Sequence, residues 1–534
     1  MSRSTSLPDP MTTSIADLRA RLDAGEITVR QLVQGGLDRI EALDRQGPSL
    51  HAVIEVNSAA LGIADALDAE LAAGARRGTM HGIPVLLKDN IATTDGMQNT
   101  AGSLALLGAL PTCEAFVVER LREAGAVIVG KTNLSEWANI RSPRSSSGWS
   151  ARGGQTRNPH QVDRNPSGSS SGSGVAVAAG YVPVAIGTET NGSIVSPANA
   201  NGVVGIKPTV GLTSRMGVIP ISHHQDTVGP LARTVADAAI ALTAIAAPDP
   251  DDPAVSEQEH ADSDARPSYP KRPAGVDGID YGSAEILDAD GLRGARLGIW
   301  RPARSIGRVT DAVFEEALAA LRGAGAELVE PIELAHAESY KDDMDQIRAL
   351  LWEVGPGIAA YIERYVDPEF PIRTLSDVVA FNNEHADVEL RWLGQEYLER
   401  AADMSDLSDP AYVATVMRLQ RRGRREGIDA TLARHGLDAI VAPTGGPATR
   451  IDLVNGDHGL GGTSTPSAVA GYPIVSVPAG SRFGLPVNVS FIGGAFSEPV
   501  LIRLAHAFEQ ATAARLVPGM APAGIEPPLS QAGG

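Results

Sequence analysis

The chain has 534 residues, with 45 Lys and Arg against 64 Asp and Glu, and a net charge of −19 at neutral pH. That balance argues against nucleic acid as a partner, because phosphate binding needs a basic surface, and against docking on an anionic membrane face. With 43% apolar residues the chain has the means to bury a sizeable core, and its length allows several domains or one large α/β domain with insertions.

The segment Met1 to Pro10 is polar and lacks the apolar stretch of a signal peptide. Residues 14 to 75 read as helices. Ser14 is placed to cap Ile15–Ala24, which Gly25 ends, and Thr28 to cap Val29–Asp44, which Gly47 ends. Short β-branched runs then alternate with helical stretches. The strand candidates are Ile83–Leu87, Ala126–Val129, Val182–Ile186, Val203–Ile206, Leu297–Trp300, Ala439–Val441, Ile474–Val477 and Val487–Ile492. Helix candidates include Cys113–Ala124 after Thr112, and Val235–Ala246 after Thr234. The alternation predicts an α/β fold with a largely parallel or mixed sheet. The longest nearly apolar run, Gly174 to Gly187, is broken by Gly180 and Pro183 and is too short to span a bilayer. The reading is a soluble, cytoplasmic protein.

Pro248 to Gly291 is rich in Asp, Pro, Ser and Gly and reads as a long surface excursion. Residues 310 to 436 are mostly helical and charged, with Asp311 or Thr310 starting the first helix, and read as an insertion over one side of the sheet. The tail after Arg515 is rich in Pro, Gly and Ala and reads as loosely held.

The single cysteine, Cys113, rules out an internal disulfide, a Cys-based zinc site and an iron–sulfur cluster. Among apolar neighbours it reads as a buried, inert thiol. The 11 histidines show no HExxH or HxxxH pairing, and His223 and His224 are adjacent, so on a strand they face opposite ways. The sequence gives a metal site little support.

Two motifs match patterns whose physics fails. Gly125 to Thr132 fits GxxxxGK[ST], but the four intervening residues, Ala-Val-Ile-Val, read as a strand where a phosphate-binding loop needs open amides. Lys131 then sits at a strand end, still available for function. Gly168 to Gly172 fits GxSxG, but Arg164-Asn165-Pro166-Ser167 is a poor strand to lead into a nucleophile elbow. That alternative also needs a later histidine, with His458 and His506 on offer.

Ser167 to Gly174 taken alone reads as a flexible linker. The following Val175-Ala-Val-Ala-Ala changes this, because a Gly/Ser loop entering a small-residue helix implies tight packing with amides exposed at the helix start. Downstream, strand Val182–Ile186 leads into a turn with Asn191 and Gly192, both tolerant of positive φ, and Ser193 at its end. Successive turn amides are able to converge as an oxyanion hole. An ordinary strand–loop–helix connection is the competing reading of the same residues.

These residues resemble the amidase signature family. Ser167 to Pro197 is similar to its Gly/Ser loop, strand and second serine, with Ser193 standing 24 positions after Ser169. Pro84 to Asn90 resembles the family's lysine segment. Gly130 to Glu136, Arg157 to Pro159, Gly205 to Pro208, Gly471 to Pro478 and Gly484 to Pro486 match further positions, so the resemblance covers roughly residues 10 to 515. Lys131 to Trp137, Gly148 to Asn158 and Gly187 to Thr190 look most like the peptide amidases within the family.

The resemblance implies the amidase-signature fold, a large mixed β-sheet flanked by helices on both faces, as one domain over residues 1–534. Within it fall N-terminal helices (10–75), the signature core (76–247), the excursion (248–291), a mostly helical insertion (292–436) and a C-terminal part of the core (437–515). It implies Ser193 as nucleophile, Ser169, in a cis peptide bond after Gly168, as the bridging serine, and Lys88 as base. It implies backbone amides of Thr190, Asn191, Gly192 and Ser193 as the oxyanion hole. A serine needs its proton taken as it attacks, and a lysine does that only when burial keeps it neutral. Neither cofactor nor metal is called for. The implied activity is hydrolysis of a linear carboxamide to an acid and ammonia through an acyl-enzyme, with a peptide's C-terminal amide or a similar acyl amide as substrate. The alternatives are the tRNA-dependent amidotransferase A subunit, which would need partner subunits, and a non-catalytic binding protein on the same fold. Two departures stand out: Glu189 and Val195 occupy positions where many members have Asp and Arg, and Asn191 replaces a glycine. The substrate-binding residues, the acyl group and the oligomeric state are not specified by the sequence.

Overall fold

The computed structural model describes residues 7–520 apart from 264, 303, 304, 342, 343, 405 and 460. The tail expectation therefore lies largely outside the described residues. Among the described residues, eleven strands form one sheet: β1 (Val53–Val56), β2 (Pro84–Lys88), β3 (Val127–Thr132), β6 (Val184–Glu189), β7 (Val204–Lys207), β8 (Thr227–Ala232), β9 (Arg296–Trp300), β10 (Glu327–Ile332), β11 (Ala439–Pro443), β12 (Ile474–Arg482) and β13 (Leu485–Ile492). A separate hairpin is made of β4 (Trp149–Ser150) and β5 (Gly154–Gln155). The order across the sheet is β1-β3-β2-β6-β8-β7-β12-β13-β11-β9-β10. β3, β2 and β6 run parallel, as do β11, β9 and β10, and the remaining neighbours are antiparallel, so the sheet is mixed.

Both faces of this sheet are buried. Along β11, Val441 packs in one apolar cluster with Phe491 and Phe508, while Ile440 and Ala442 pack in another with Ile428 and Tyr472. Alternating side chains of a strand enter opposite faces, so two clusters from one strand mean helices on both sides. The helical block keeps an apolar cluster of its own. Leu351, Val354, Ile358 and Ile362 of helix Asp345–Tyr365 pack with Val378, Leu398, Trp137 and Ile221. Glu136, Arg141 and Glu389 form a buried charged knot that ties this block to the signature core.

The eight strand candidates are all strands of the sheet. Ser14, Thr28 and Thr234 accept amide hydrogen bonds at their helix starts, as their cap positions require. The helix expected at Cys113 begins instead at Phe116, with Ala115 at its cap and no side-chain cap bond. Cys113 therefore lies in the preceding loop and is exposed, which corrects the reading of a buried thiol. No helix among the described residues is long and apolar enough to cross a membrane.

Candidate active site

Parallel pairing of β2 with β3 and β6 brings the carboxyl ends of three strands to one edge of the sheet, the place where open α/β sheets bind ligands. Lys88 ends β2, Thr188 and Glu189 end β6, and Lys131 and Thr132 end β3. Lys88 is fully buried. Its Nζ lies 2.7 Å from Ser169 Oγ, 2.9 Å from Thr188 Oγ1 and 3.2 Å from the Thr188 carbonyl. Burial pushes the Lys88 ammonium down from 10.5 to about 7, against the opposing pull of the Asp226 and Glu189 carboxylates. Asp89, next in sequence, turns away. It bonds Arg152 at 3.1–3.2 Å and accepts from Thr100 Oγ1, so it does not pair with Lys88.

Ser169 stands on the Gly/Ser loop, and the Gly168–Ser169 peptide is cis. The loop is clamped from both sides. Ser135 N–H donates to the Ser169 carbonyl at 3.1 Å, and Gly172 N–H donates to the Asn133 carbonyl at 2.9 Å. Gly172 has to be glycine, because a Cβ there would meet the Ala52 carbonyl oxygen at 2.1 Å. On the other side Ser170 O–H donates to the Thr188 carbonyl at 3.0 Å and accepts from Thr188 N–H at 3.2 Å. Ser170 N–H donates to the Ser193 carbonyl at 3.1 Å. These bonds hold the Ser169 loop against the turn that carries Ser193. No strand leads into Gly168, so the GxSxG text is not a nucleophile elbow. His458 pairs with Asp452 at 2.9 Å, and His506 lies beside Glu509, so neither histidine bonds a serine of this loop.

The turn itself is built around Glu189. Its carboxylate accepts N–H bonds from Gly192 at 2.8 Å, Ile194 at 2.7 Å and Val195 at 3.0 Å. Glu189 thus pairs with the backbone of the turn, and not with a cation at Val195. Gly192 takes φ +80°, which suits glycine. Among the described residues, the amides of Thr190, Asn191 and Ser193 have no acceptor, whereas the Gly192 amide is committed to Glu189. Ser193 is only 7% exposed, and its hydroxyl makes no bond to another described residue.

Segments far away in sequence fix the rest. Asp226 accepts from Thr190 Oγ1 at 2.6 Å and from the amides of Ile221 and Ser222. Asn191 Nδ2 donates to Gln346 Oε1 at 3.0 Å and Thr465 Oγ1 at 3.1 Å, and Ser464 O–H donates to Asn191 Oδ1 at 2.7 Å. Asn90 Nδ2 donates to Thr188 Oγ1 at 3.0 Å. Thr188, Asp226, Gln346, Ser464 and Thr465 escape sequence reasoning, because no local pattern marks a residue whose partner lies up to 274 positions away.

Lys131 and Lys207 are buried at strand ends too, with ammonium values lowered to about 8, but their contacts differ. Lys131 Nζ donates to the Ile91 carbonyl, and Lys207 Nζ to the Tyr472 carbonyl at 2.6 Å and the Pro208 carbonyl at 3.0 Å. Both brace loops, and neither touches a serine of the site.

Beside the Asn191 turn opens a cavity of about 320 Å³, walled by Asn191, Ser196, Asn199, Ser464 and Thr465 and by residues 445–449, 457–459, 461 and 462. Among the described residues, no lysine or arginine lines it. Nor, among them, is any group of three or more His, Cys, Asp and Glu arranged to hold a metal.

A buried lysine bonded to one serine, next to a turn bearing a second, is the arrangement expected from the family resemblance. The Amidase family model matches residues 31–502. The chain belongs to the amidase family. It is an amidase-family enzyme, of the hydrolases that act on carbon–nitrogen bonds. This amidase is 41% identical over 512 residues to a probable amidase of Arabidopsis thaliana, covering 95% of this chain and 91% of that one. A native peptide amidase from Stenotrophomonas maltophilia shares 49% identity with a TM-score of 0.87, covering 95% of this chain and 98% of that one. A peptide amidase in complex with the competitive inhibitor chymostatin shares 50% identity with a TM-score of 0.88, covering 95% and 99%. The A subunit of the glutamyl-tRNA(Gln) amidotransferase of a Synechococcus strain is more distant, at 33% identity over 94% of this chain and 97% of that one. The large mixed sheet with flanking helices is the amidase-signature fold of those peptide amidase structures.

Proposed function

We infer that this amidase hydrolyses the C-terminal amide of short peptides, releasing ammonia through an acyl-enzyme on Ser193. One observation carries the mechanism: Thr188 offers two acceptors to Lys88 Nζ, at 2.9 and 3.2 Å, and Ser169 Oγ takes the third direction at 2.7 Å. A neutral amine has two hydrogens and one lone pair. With both hydrogens on Thr188, the lone pair faces Ser169 Oγ and receives its proton.

Ser169 then takes the proton of Ser193 as Ser193 Oγ bonds the substrate carbonyl carbon. The amides of Thr190, Asn191 and Ser193 hold the oxyanion, while Glu189 uses the Gly192 amide to keep the turn in shape. The proton returns through Ser169 to the leaving nitrogen, the carbon–nitrogen bond breaks and ammonia departs. Water attacks the acyl-enzyme by the same relay in reverse roles, giving the acid and free Ser193.

The acyl part lies in the cavity beside Asn191. Its amide and hydroxyl lining suits the polar backbone of a peptide, and the similarity to peptide amidases at 49–50% identity favours the same class. The test is ammonia release from a panel of amides. Neutral peptide amides are expected to be hydrolysed faster than half-amides such as malonamate, because no described cation lines the cavity to receive a carboxylate. Faster turnover of the half-amides would overturn this reading.

The base assignment sets the pH profile. Neutral Lys88 is the competent form, and burial lowers its ammonium to about 7. The neutral fraction therefore grows as pH rises past 7, and kcat/KM should rise through about pH 7 to a plateau. A rising limb near pH 10, where an ordinary lysine titrates, would contradict it.

A further inference from the structure

The cavity that begins at Asn191 also meets Asp457, an exposed residue of its wall. Asp457 is held in place by two donors on one oxygen: Ser147 N–H at 3.0 Å and Asn165 Nδ2 at 2.8 Å both reach Oδ1. Asn165 in turn accepts from Ser167 N–H at 2.7 Å, two residues before Ser169. The aspartate is thus fixed relative to the catalytic loop, which a specificity contact requires.

Among the described residues, no arginine or lysine compensates it inside the cavity. His458, the other ionisable residue there, is an exposed side chain paired with Asp452 at 2.9 Å that also acts at longer range on Asp457. Neighbouring arginines are engaged outside, Arg144 with Glu396 at 3.2 Å and Arg450 with Asp163 at 3.9 Å. A carboxylate presented to an open polar cavity, with no lysine or arginine of the described residues lining it, attracts a cation from the ligand. The one cation common to all unblocked peptide amides is the α-ammonium at their N-terminus.

We propose that Asp457 binds the free N-terminal ammonium of a short peptide amide and so selects unblocked peptides over N-acylated ones. The proposal rests on the peptide-amide reading and adds to it: the acyl part bears no carboxylate, and its end remote from the scissile amide carries a positive charge. Asp457 is a specificity residue here and takes no part in the proton relay.

The experiment compares kcat/KM for alanyl-phenylalaninamide and its N-acetyl derivative, in the wild type, Asp457→Asn and Asp457→Glu. Asparagine keeps an acceptor for Ser147 and Asn165 but removes the charge. The wild type should favour the unblocked peptide, Asp457→Asn should lower the ratio of the two kcat/KM values about tenfold, mainly through KM, and Asp457→Glu should restore part of it. A purely structural role would slow both substrates alike and leave the ratio unchanged, which would overturn the proposal, as would a wild type that prefers the acetylated peptide. If the wild type hydrolysed neither peptide amide, the peptide-amide reading itself would fall with it.

Discussion

Ser193→Ala should lower ammonia release by about 10⁴-fold or more while the protein stays folded. The hydroxyl bonds no other described residue, and alanine keeps the Cβ, so removing the oxygen leaves no buried partner unsatisfied. The turn is shaped by Glu189 through three amides and by Gly192 at φ +80°, none of which the substitution touches. Circular dichroism and thermal melting should therefore match the wild type. Near-wild-type turnover would move attention to Ser170. That residue is poorly suited, since its hydroxyl donates to the Thr188 carbonyl and receives the Thr188 amide.

Lys88→Ala should cost about 10²–10⁴-fold in kcat/KM, the range for loss of a general base, whereas Lys131→Ala and Lys207→Ala should fall well short of that in folded protein. All three lysines are buried at strand ends, with ammonium values lowered to about 7 or 8, so burial alone does not separate them. Contacts do. Lys88 alone reaches a serine of the site, while the other two donate to carbonyls of loops they brace. Losing a brace exposes a buried carbonyl and lowers stability, so melting temperature is read beside kcat/KM. If the Lys88 variant kept most of its activity while the Lys131 or Lys207 variant lost it, the base has been assigned to the wrong residue.

Much of the fold was legible because its strands are short β-branched runs with nothing ambiguous beside them. Val184–Glu189 and Leu485–Ile492 are of that kind. The strands that escaped have specific reasons. β8 carries Gly229-Pro230 in its middle, a pair that reads as a turn, yet it lies between β6 and β7 because Pro230 sits opposite Ile186 in an antiparallel pair. β10 is an edge strand with a largely exposed pattern and Pro331 near its end. β1 is a four-residue edge strand, too short to signal by alternation. At Cys113 a threonine before an apolar run looked like a cap, but the chain waits until Ala115 to enter the helix.

The candidate site divides along the same line. Lys88, Ser169 and Ser193 stand in local text with a physical signature: an apolar strand ending in lysine, a Gly/Ser loop entering a helix, and an Asn-Gly turn after a strand. What orients them is not local. Thr188 contributes through its position on the next parallel strand, and Asn191 is held by Gln346, Ser464 and Thr465 from distant segments. Glu189 has no cation across the turn at Val195, and the sequence does not say what it pairs with instead. Three backbone amides supply the partner, and the backbone has no letter in the sequence.

The proposed mechanism requires that Ser193 bond the substrate acyl group. Labelling the wild-type protein with a fluorophosphonate, and locating the adduct by peptide mass spectrometry while ammonia release from a peptide amide is followed, tests it most directly. One adduct per chain on Ser193, accumulating in step with loss of activity, is the expected result. Inactivation with the adduct on Ser170 or another residue, or full activity retained with Ser193 labelled, would contradict it.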